Sequence, residues 1–218
     1  MHANTNPPQP AVPAPPPVRV CAFIDGYNLF KAVKQCFGYN HPNYDIKRLV
    51  DAVVSMQSNR QLVSAHFCIG IPTGLDDAQN NLWWTKKLAA MGRTGVQIET
   101  RNLKRRELRV HLDGIVKFDR TIPRLIEKGI DLKIGLDMVR LARSNTYDVA
   151  ILFSQDGDLV EAVTEVQSIA AEQCRRIQVE CAYPVAAGVN TYPIRRTIPR
   201  QIIKATYDRC IDPTDYRI

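Results

Sequence analysis

The chain has 218 residues, of which 45% are hydrophobic and 23% charged, with a formal net charge of +7. That length favours one substantial core, and the apolar content excludes a chain that is disordered throughout. No apolar run approaches the roughly 20 residues that cross a bilayer, and the N-terminus lacks the basic and apolar regions of a secretory leader. A soluble, non-secreted protein with no membrane partner is expected.

Residues 1–17 contain seven prolines and no Lys, Arg, Asp or Glu. Such a segment cannot form a helix or bury a core, so a disordered, polyproline-like tail is expected; with no recognition motif and flanking charge it reads as a tether ahead of a ligand for a groove-bearing protein partner. A single folded domain then spans 18–218. VRVCAFI (18–24) reads as a strand, and 26–37 and 45–58 read as helices. The second helix rests on Ile46, Leu49, Val50, Val53 and Val54, which share one helical face. LVSAHFCIGI (62–71) is a second strand, a helix follows Gly74 through Trp83, Trp84 and Leu88, and VQIET (96–100) is a third strand.

RELRVHLDGIVKFD (106–119) carries an Asp113-Gly114 pair of the kind that closes a β-hairpin. Around it Arg101, Lys104, Arg105, Arg106 and Arg109 face only Glu107, and a second basic group, Arg195, Arg196, Arg200 and Lys204, lies near the C-terminus. Clusters like these suit a polyanion, because each phosphate neutralised releases counterions. A solvated surface is the plain alternative.

Beyond the hairpin come a helix near 132–144, the apolar run 148–154, a helix from about Gly157 to Ala171 and RIQVECAY (176–183). Strands and helices alternate, and the strands are continuous apolar runs, as in parallel sheets covered on both faces. The pattern predicts an α/β three-layer sandwich with a mainly parallel central sheet, right-handed crossovers and a β-hairpin insertion. An extension from about residue 184 supplies strands or a last helix at the sheet edge. Six cysteines show no CxxC pair and no zinc-ligand spacing with the four histidines. Cys21, Cys68 and Cys181 lie in apolar runs, so buried reduced thiols and a cytoplasmic location are expected.

Two of the apolar strands end in acids. AFI runs into Asp25, and AILFSQ runs into Asp156, with Asp158 two residues later. In open parallel sheets the active site forms at the carboxyl ends of the strands. Gly26 and Gly157 follow the two acids directly and are expected to let the backbone turn tightly there. On the helix near 132–144, Asp137 shares a face with Ile134, Met138 and Leu141, where an acid is costly unless paired or metal-bound. Asp131 opens that helix and fits a cap or a ligand equally. Asn28 is placed for a water or a phosphate oxygen. Converging carboxylates without a histidine or cysteine suit a hard cation, Mg²⁺ or Mn²⁺, and with it phosphodiester hydrolysis.

FIDGYNLF, EKGIDLKIGLDMV and YDVAILFSQDGDLVEAV together resemble the NYN domain family, with its PIN-like ribonuclease fold, in the branch of LabA-like proteins. The resemblance covers about residues 20–183 and implies a metal-dependent ribonuclease. Carried over by motif, it assigns Asp25 and Asn28, then Asp131 and Asp137, then Asp156 and Asp158, as catalytic, with Asp25, Asp137, Asp156 and Asp158 holding the metal. Gln155 and Leu159 depart from the family pattern without removing a carboxylate.

Tyr27 is the stacking candidate for a splayed base, ahead of Trp83 and Trp84, of which one ring belongs to the core. The tryptophan pair also leaves room for a homodimer. The basic groups, Arg109, Arg195, Arg196 and Arg200 among them, are candidates to line the RNA path. The expected activity is cleavage of single-stranded RNA, and the alternative is a regulatory RNA-binding adaptor of the same fold with little or no catalysis. Use of Asp25 as a covalent phosphatase nucleophile is disfavoured, because Tyr27 stands where that chemistry commonly has a second acid.

Overall fold

The computed structural model describes residues 15–110 and 120–217, and of 107–110 and 120–124 the backbone alone. The first apolar run forms β1 (Val18–Asp25), whose alternation sends Val20, Ala22 and Ile24 to one face and Cys21 and Phe23 to the other, all of them buried. It feeds α1 (Gly26–Phe37), α2 (Ile46–Val54) and β2 (Arg60–Ile71), then α3 (Ala78–Arg93) and β3 (Gln97–Asn102). After a separate pair of strands, β4 (Lys104–Val110) and β5 (Arg120–Ile126), the chain returns through α4 (Ile130–Arg143) to β6 (Val149–Phe153). α5 (Val160–Glu172), β7 (Gln178–Pro184), β8 (Ile198–Ile202) and α6 (Lys204–Asp208) complete it.

Six strands form one sheet in the order β3-β2-β1-β6-β7-β8, and every neighbouring pair is parallel. Leu29 and Val33 of α1, Leu49 and Val53 of α2, and Trp84 and Leu88 of α3 bury one face, together with Tyr207 of α6. Ile134 and Met138 of α4 and Val163 and Val166 of α5 bury the other. The result is the expected three-layer α/β sandwich of PIN-like form. Its strand order reverses between β1 and β6, which opens a crevice outside their carboxyl ends.

The elements differ from expectation where local signals compete. α2 is shorter than 45–58: Asp45 caps it by accepting from the Arg48 N–H at 3.1 Å, and the polar stretch after Val54 offers no apolar face to extend it. α4 begins earlier, at Ile130, directly after Gly129 in the left-handed region at φ 75°. The hairpin is real but displaced, because β4 pairs antiparallel with β5 from Lys104↔Ile126 to Val110↔Arg120. Pro123, opposite Glu107, masks β5 as a strand; a two-stranded ladder consists only of edges and tolerates it. The Asp113-Gly114 turn lies outside the described residues.

The extension adds β8 to the sheet edge and then clamps onto the α1–α2 connection. There Asp45 N–H donates to the Cys210 carbonyl at 2.7 Å and Asp212 N–H to the Asn43 carbonyl at 2.8 Å. All six cysteines are free. Among the described residues no helix is long and apolar enough to cross a membrane.

Candidate active site

Asp25 closes β1 and caps α1, its Oδ1 accepting from the Asn28 N–H at 2.9 Å. Gly26 has an ordinary helical φ, so turning freedom is not its role. An added Cβ would stand 2.5 Å from the Phe67 ring and 3.0 Å from Ile69, so glycine is what lets α1 sit tightly on β2. Gly157 has neither a positive φ nor a neighbour within 4 Å, and nothing in the structure explains its choice.

From β6 comes the second loop. Asp156 N–H donates to the Ser154 Oγ at 3.1 Å, and the Asp156 carboxylate accepts from the Asp158 N–H at 3.1 Å. Asn28 Oδ1 accepts from the Gln155 N–H at 2.8 Å and so ties the α1 start to this loop across the strand reversal. The β5–α4 connection brings Glu127 and Asp131. Together Asp25, Glu127, Asp131 and Asp156 line a cleft of about 300 Å³.

Within it Asp25 is only 5% exposed. Burial raises its pKa from 3.8 to about 7, and the Glu127 and Asp156 carboxylates push the same way against the Asn28 N–H and the Ser154 hydroxyl. Burial also raises Glu127, with Asp131 adding to it, while the Gly70 N–H that donates to its carboxylate opposes. Gly70 is required for that approach, since a Cβ there would stand 2.7 Å from the Glu127 carboxylate and 2.6 Å from Leu103. Glu127 is the acid the sequence reading missed. Its signal was present as the first residue of EKGID, but without β5 in view it did not read as a strand-end acid.

Asp137 does not join the cleft. It is buried on the inward face of α4, where Lys133 Nζ donates to it at 2.6 Å and Arg140 at 3.2 Å. The expected metal ligand is thus an acid neutralised by cations one turn before and after it, about 9 Å along the helix axis from Asp131. Asp158 is exposed on the Gly157–Leu159 turn and does not line the cleft, and its N–H positions Asp156. Asn28 uses its carbonyl oxygen on Gln155, which gives it a positioning role and leaves its amide N–H groups for the expected water or phosphate oxygen.

Arg200 is likewise corrected. With Arg60 it holds the fully buried Glu180 through four hydrogen bonds of 2.6–3.0 Å, and so it is not on an RNA path. Arg196, at φ 65°, donates to Thr164 at 3.2 Å, and Arg195 is exposed. Arg101 reaches over Gly129 at the rim of the acidic cleft, while Lys104, Arg105 and Arg106 project from β4 into solvent. The Arg109 side chain lies outside the described residues. Tyr27 is 53% exposed beside Asp25, and of the tryptophan pair Trp84 is the core ring.

The four cleft acids offer only oxygen donors, and among the described residues no cation is paired with Asp25, Asp131 or Asp156. Mutual repulsion of this kind is what a hard divalent cation relieves. Among the described residues, however, no group of three His, Cys, Asp or Glu side chains stands close enough to hold an ion. The donor chemistry therefore suits Mg²⁺ or Mn²⁺, while coordination by three side chains at once requires the carboxylates to draw closer.

No curated protein matches the chain. The NYN domain family model matches residues 19–172, from β1 through α5, and every acid of the cleft lies inside that span. NYN domains are PIN-like nuclease domains, and with more than half of its length matched the chain belongs to the NYN domain family.

Proposed function

We propose that the protein is a metal-dependent ribonuclease that hydrolyses phosphodiester bonds of single-stranded RNA at the Asp25–Asp156 cleft. One observation carries the reading: a nearly buried carboxylate, Asp25, shares one cleft with Glu127, Asp131 and Asp156 at the reversal point of a parallel sheet. A bound Mg²⁺ or Mn²⁺ supplies a Lewis acid for a phosphoryl oxygen and lowers the pKa of a water. Asp25 and Asp156 would hold the ion from β1 and β6, with Asp131 and Glu127 from the β5–α4 connection. Ser154 and Asn28 fix the loop that carries Asp156. Arg101 at the rim and the exposed basic residues of β4, Lys104, Arg105 and Arg106, favour a polyanion, and exposed Tyr27 favours unpaired bases. The six free thiols are in keeping with a reducing, cytoplasmic setting.

The test is cleavage of a labelled single-stranded RNA by wild type, with Mn²⁺ or with EDTA, beside Asp156→Asn. Cleavage is expected only with Mn²⁺, and the variant should lose on the order of 100-fold or more, the several kcal/mol of charge stabilisation such an ion provides. Cleavage that survives EDTA or the substitution overturns the reading. The adaptor alternative is favoured by the absence, among the described residues, of three side chains already placed as a metal site. It predicts salt-sensitive RNA binding without cleavage and without thermal stabilisation by Mn²⁺.

A further inference from the structure

Next to the acidic cleft lies a larger cavity of about 480 Å³, within the roughly 300–1,000 Å³ of small-molecule sites. Tyr27 and Phe30 of α1 and Trp83 and Trp84 of α3 supply aromatic walls, with Pro42 and Pro72 also lining it. Two short connections join it to the cleft. Tyr27 stands two residues after Asp25, and Gly70, which lines the cavity, donates its N–H to the carboxylate of Glu127, which lines the cleft.

The Trp83 ring is fixed in place. It packs edge-on against Trp84 at 4.9 Å and against Tyr216 at 6.0 Å between ring centres, with the Lys87 ammonium 5.6 Å from its centroid. Lys87, almost fully buried, donates to the Tyr44 carbonyl at 3.0 Å and to Asp212 at 3.1 Å, and the Tyr216 hydroxyl donates to Asp212 at 2.7 Å. The C-terminal segment thus braces a tryptophan as a rigid wall. Asn40, Gln79 and Asn80 also line the cavity and are exposed, and among the described residues their side-chain amides have no partner.

Flat aromatic walls with free amide groups suit a planar ring that has a polar edge better than an aliphatic chain. We propose that this cavity takes one unstacked nucleobase of an RNA strand whose phosphate lies at the acidic cleft, stacked on Trp83 and Tyr27 and contacted at its edge by Asn40, Gln79 or Asn80. The inference rests on reading the cleft as an RNA site. It makes the cavity the determinant of which nucleotide flanks the bond that is cut.

The test is equilibrium binding, in Mn²⁺ and with non-hydrolysable phosphonate linkages so that no cleavage intervenes, of short single-stranded RNA analogues carrying one fluorescent adenine analogue at successive positions. Quenching at one position is expected, and an abasic nucleotide there should weaken wild-type binding by roughly 5- to 150-fold. Trp83→Leu and Tyr27→Ala should weaken the intact RNA by a comparable factor and bind the abasic RNA as wild type does. Tyr27 is exposed, so its variant keeps the test valid if Trp83→Leu fails to fold. Absence of position-dependent quenching overturns the proposal, as does an equal loss by the variants on intact and abasic RNA. Adenosine monophosphate binding as tightly as the strand also overturns it. A protein that shows the quenching but never cleaves with Mn²⁺ keeps this pocket and loses the nuclease reading; one that cleaves but ignores the abasic site does the reverse.

Discussion

Asp25 and Glu180 are acids buried in the same sheet, and the fold treats them in opposite ways. Burial alone would raise Glu180, but the hydrogen bonds from Arg200 and Arg60 outweigh it and hold its pKa below the ordinary 4.5. Asp25 has no such partner, and burial with two neighbouring acids takes it up to about 7. Asp137, between Lys133 and Arg140, belongs with Glu180. A buried acid whose lone pairs are met by cations is scaffold, whereas one left among other acids is held at a cost that binding a cation would remove.

The sharpest way to break this contrast is Glu180→Gln. Two arginines, with side chains 6% and 18% exposed, would then face a neutral amide, and the loss should be about 3–5 kcal/mol by urea denaturation at pH 7. Cleavage per folded molecule should not change. Because the folded-state pKa is lowered, the stability Glu180 contributes is present above about pH 4.5 and is lost as the pH falls below it. A loss under about 1 kcal/mol would mean that the triad is not structural in the sense argued.

Asp25→Asn should act with the opposite sign. A raised folded-state pKa means that the wild type carries no penalty below the ordinary 3.8 and loses stability as the pH rises through about 7. The variant should therefore be more stable than wild type by roughly 2–4 kcal/mol at pH 8, with the difference gone near pH 4. Denaturation series at both pH values check it, and a variant less stable at pH 8 would place Asp25 with the scaffold acids. Manganese sharpens the same line: at 100 times its Kd it should stabilise wild type by about 2.7 kcal/mol. Asp156→Asn should lose most of that response and Asp137→Asn should keep it. Melting in Mn²⁺ and in EDTA decides between them.

The contrast also explains what was legible in the sequence. β1 and β6 are legible because continuous apolar runs that lead into an acid carry their meaning locally, and the parallel sheet follows from the alternation of such runs with helices. Helical periodicity puts Asp137 inward and so points to a ligand, although the cations at i−4 and i+3 that neutralise it are equally visible in the sequence. Glu180 gave no sign of its state, since Arg60 lies 120 residues away in sequence and Arg200 lies 20 away. Glu127 is hidden for a similar reason, as the strand it follows, β5, pairs only with β4 among the described residues and contains Pro123.

Arginines divide as the acids do, and Arg101 tests the division with the smallest expected effect. Arg60 and Arg200 spend their charge on Glu180, whereas Arg101 is exposed at the cleft rim over Gly129, where the neighbouring surface is acidic. A cation there is of little use to the fold, so Arg101→Ala should change stability by no more than about 0.5 kcal/mol. If it contacts a phosphate entering the cleft, the variant should bind every single-stranded sequence a few-fold more weakly, and the salt dependence of binding should fall by about one contact. Titrations of labelled RNA at several salt concentrations measure both. An unchanged slope would move the RNA path away from this rim, toward the exposed β4 residues Lys104, Arg105 and Arg106. Destabilisation instead would show that Arg101 offsets the repulsion among the cleft acids, as Lys133 does for Asp137 within α4.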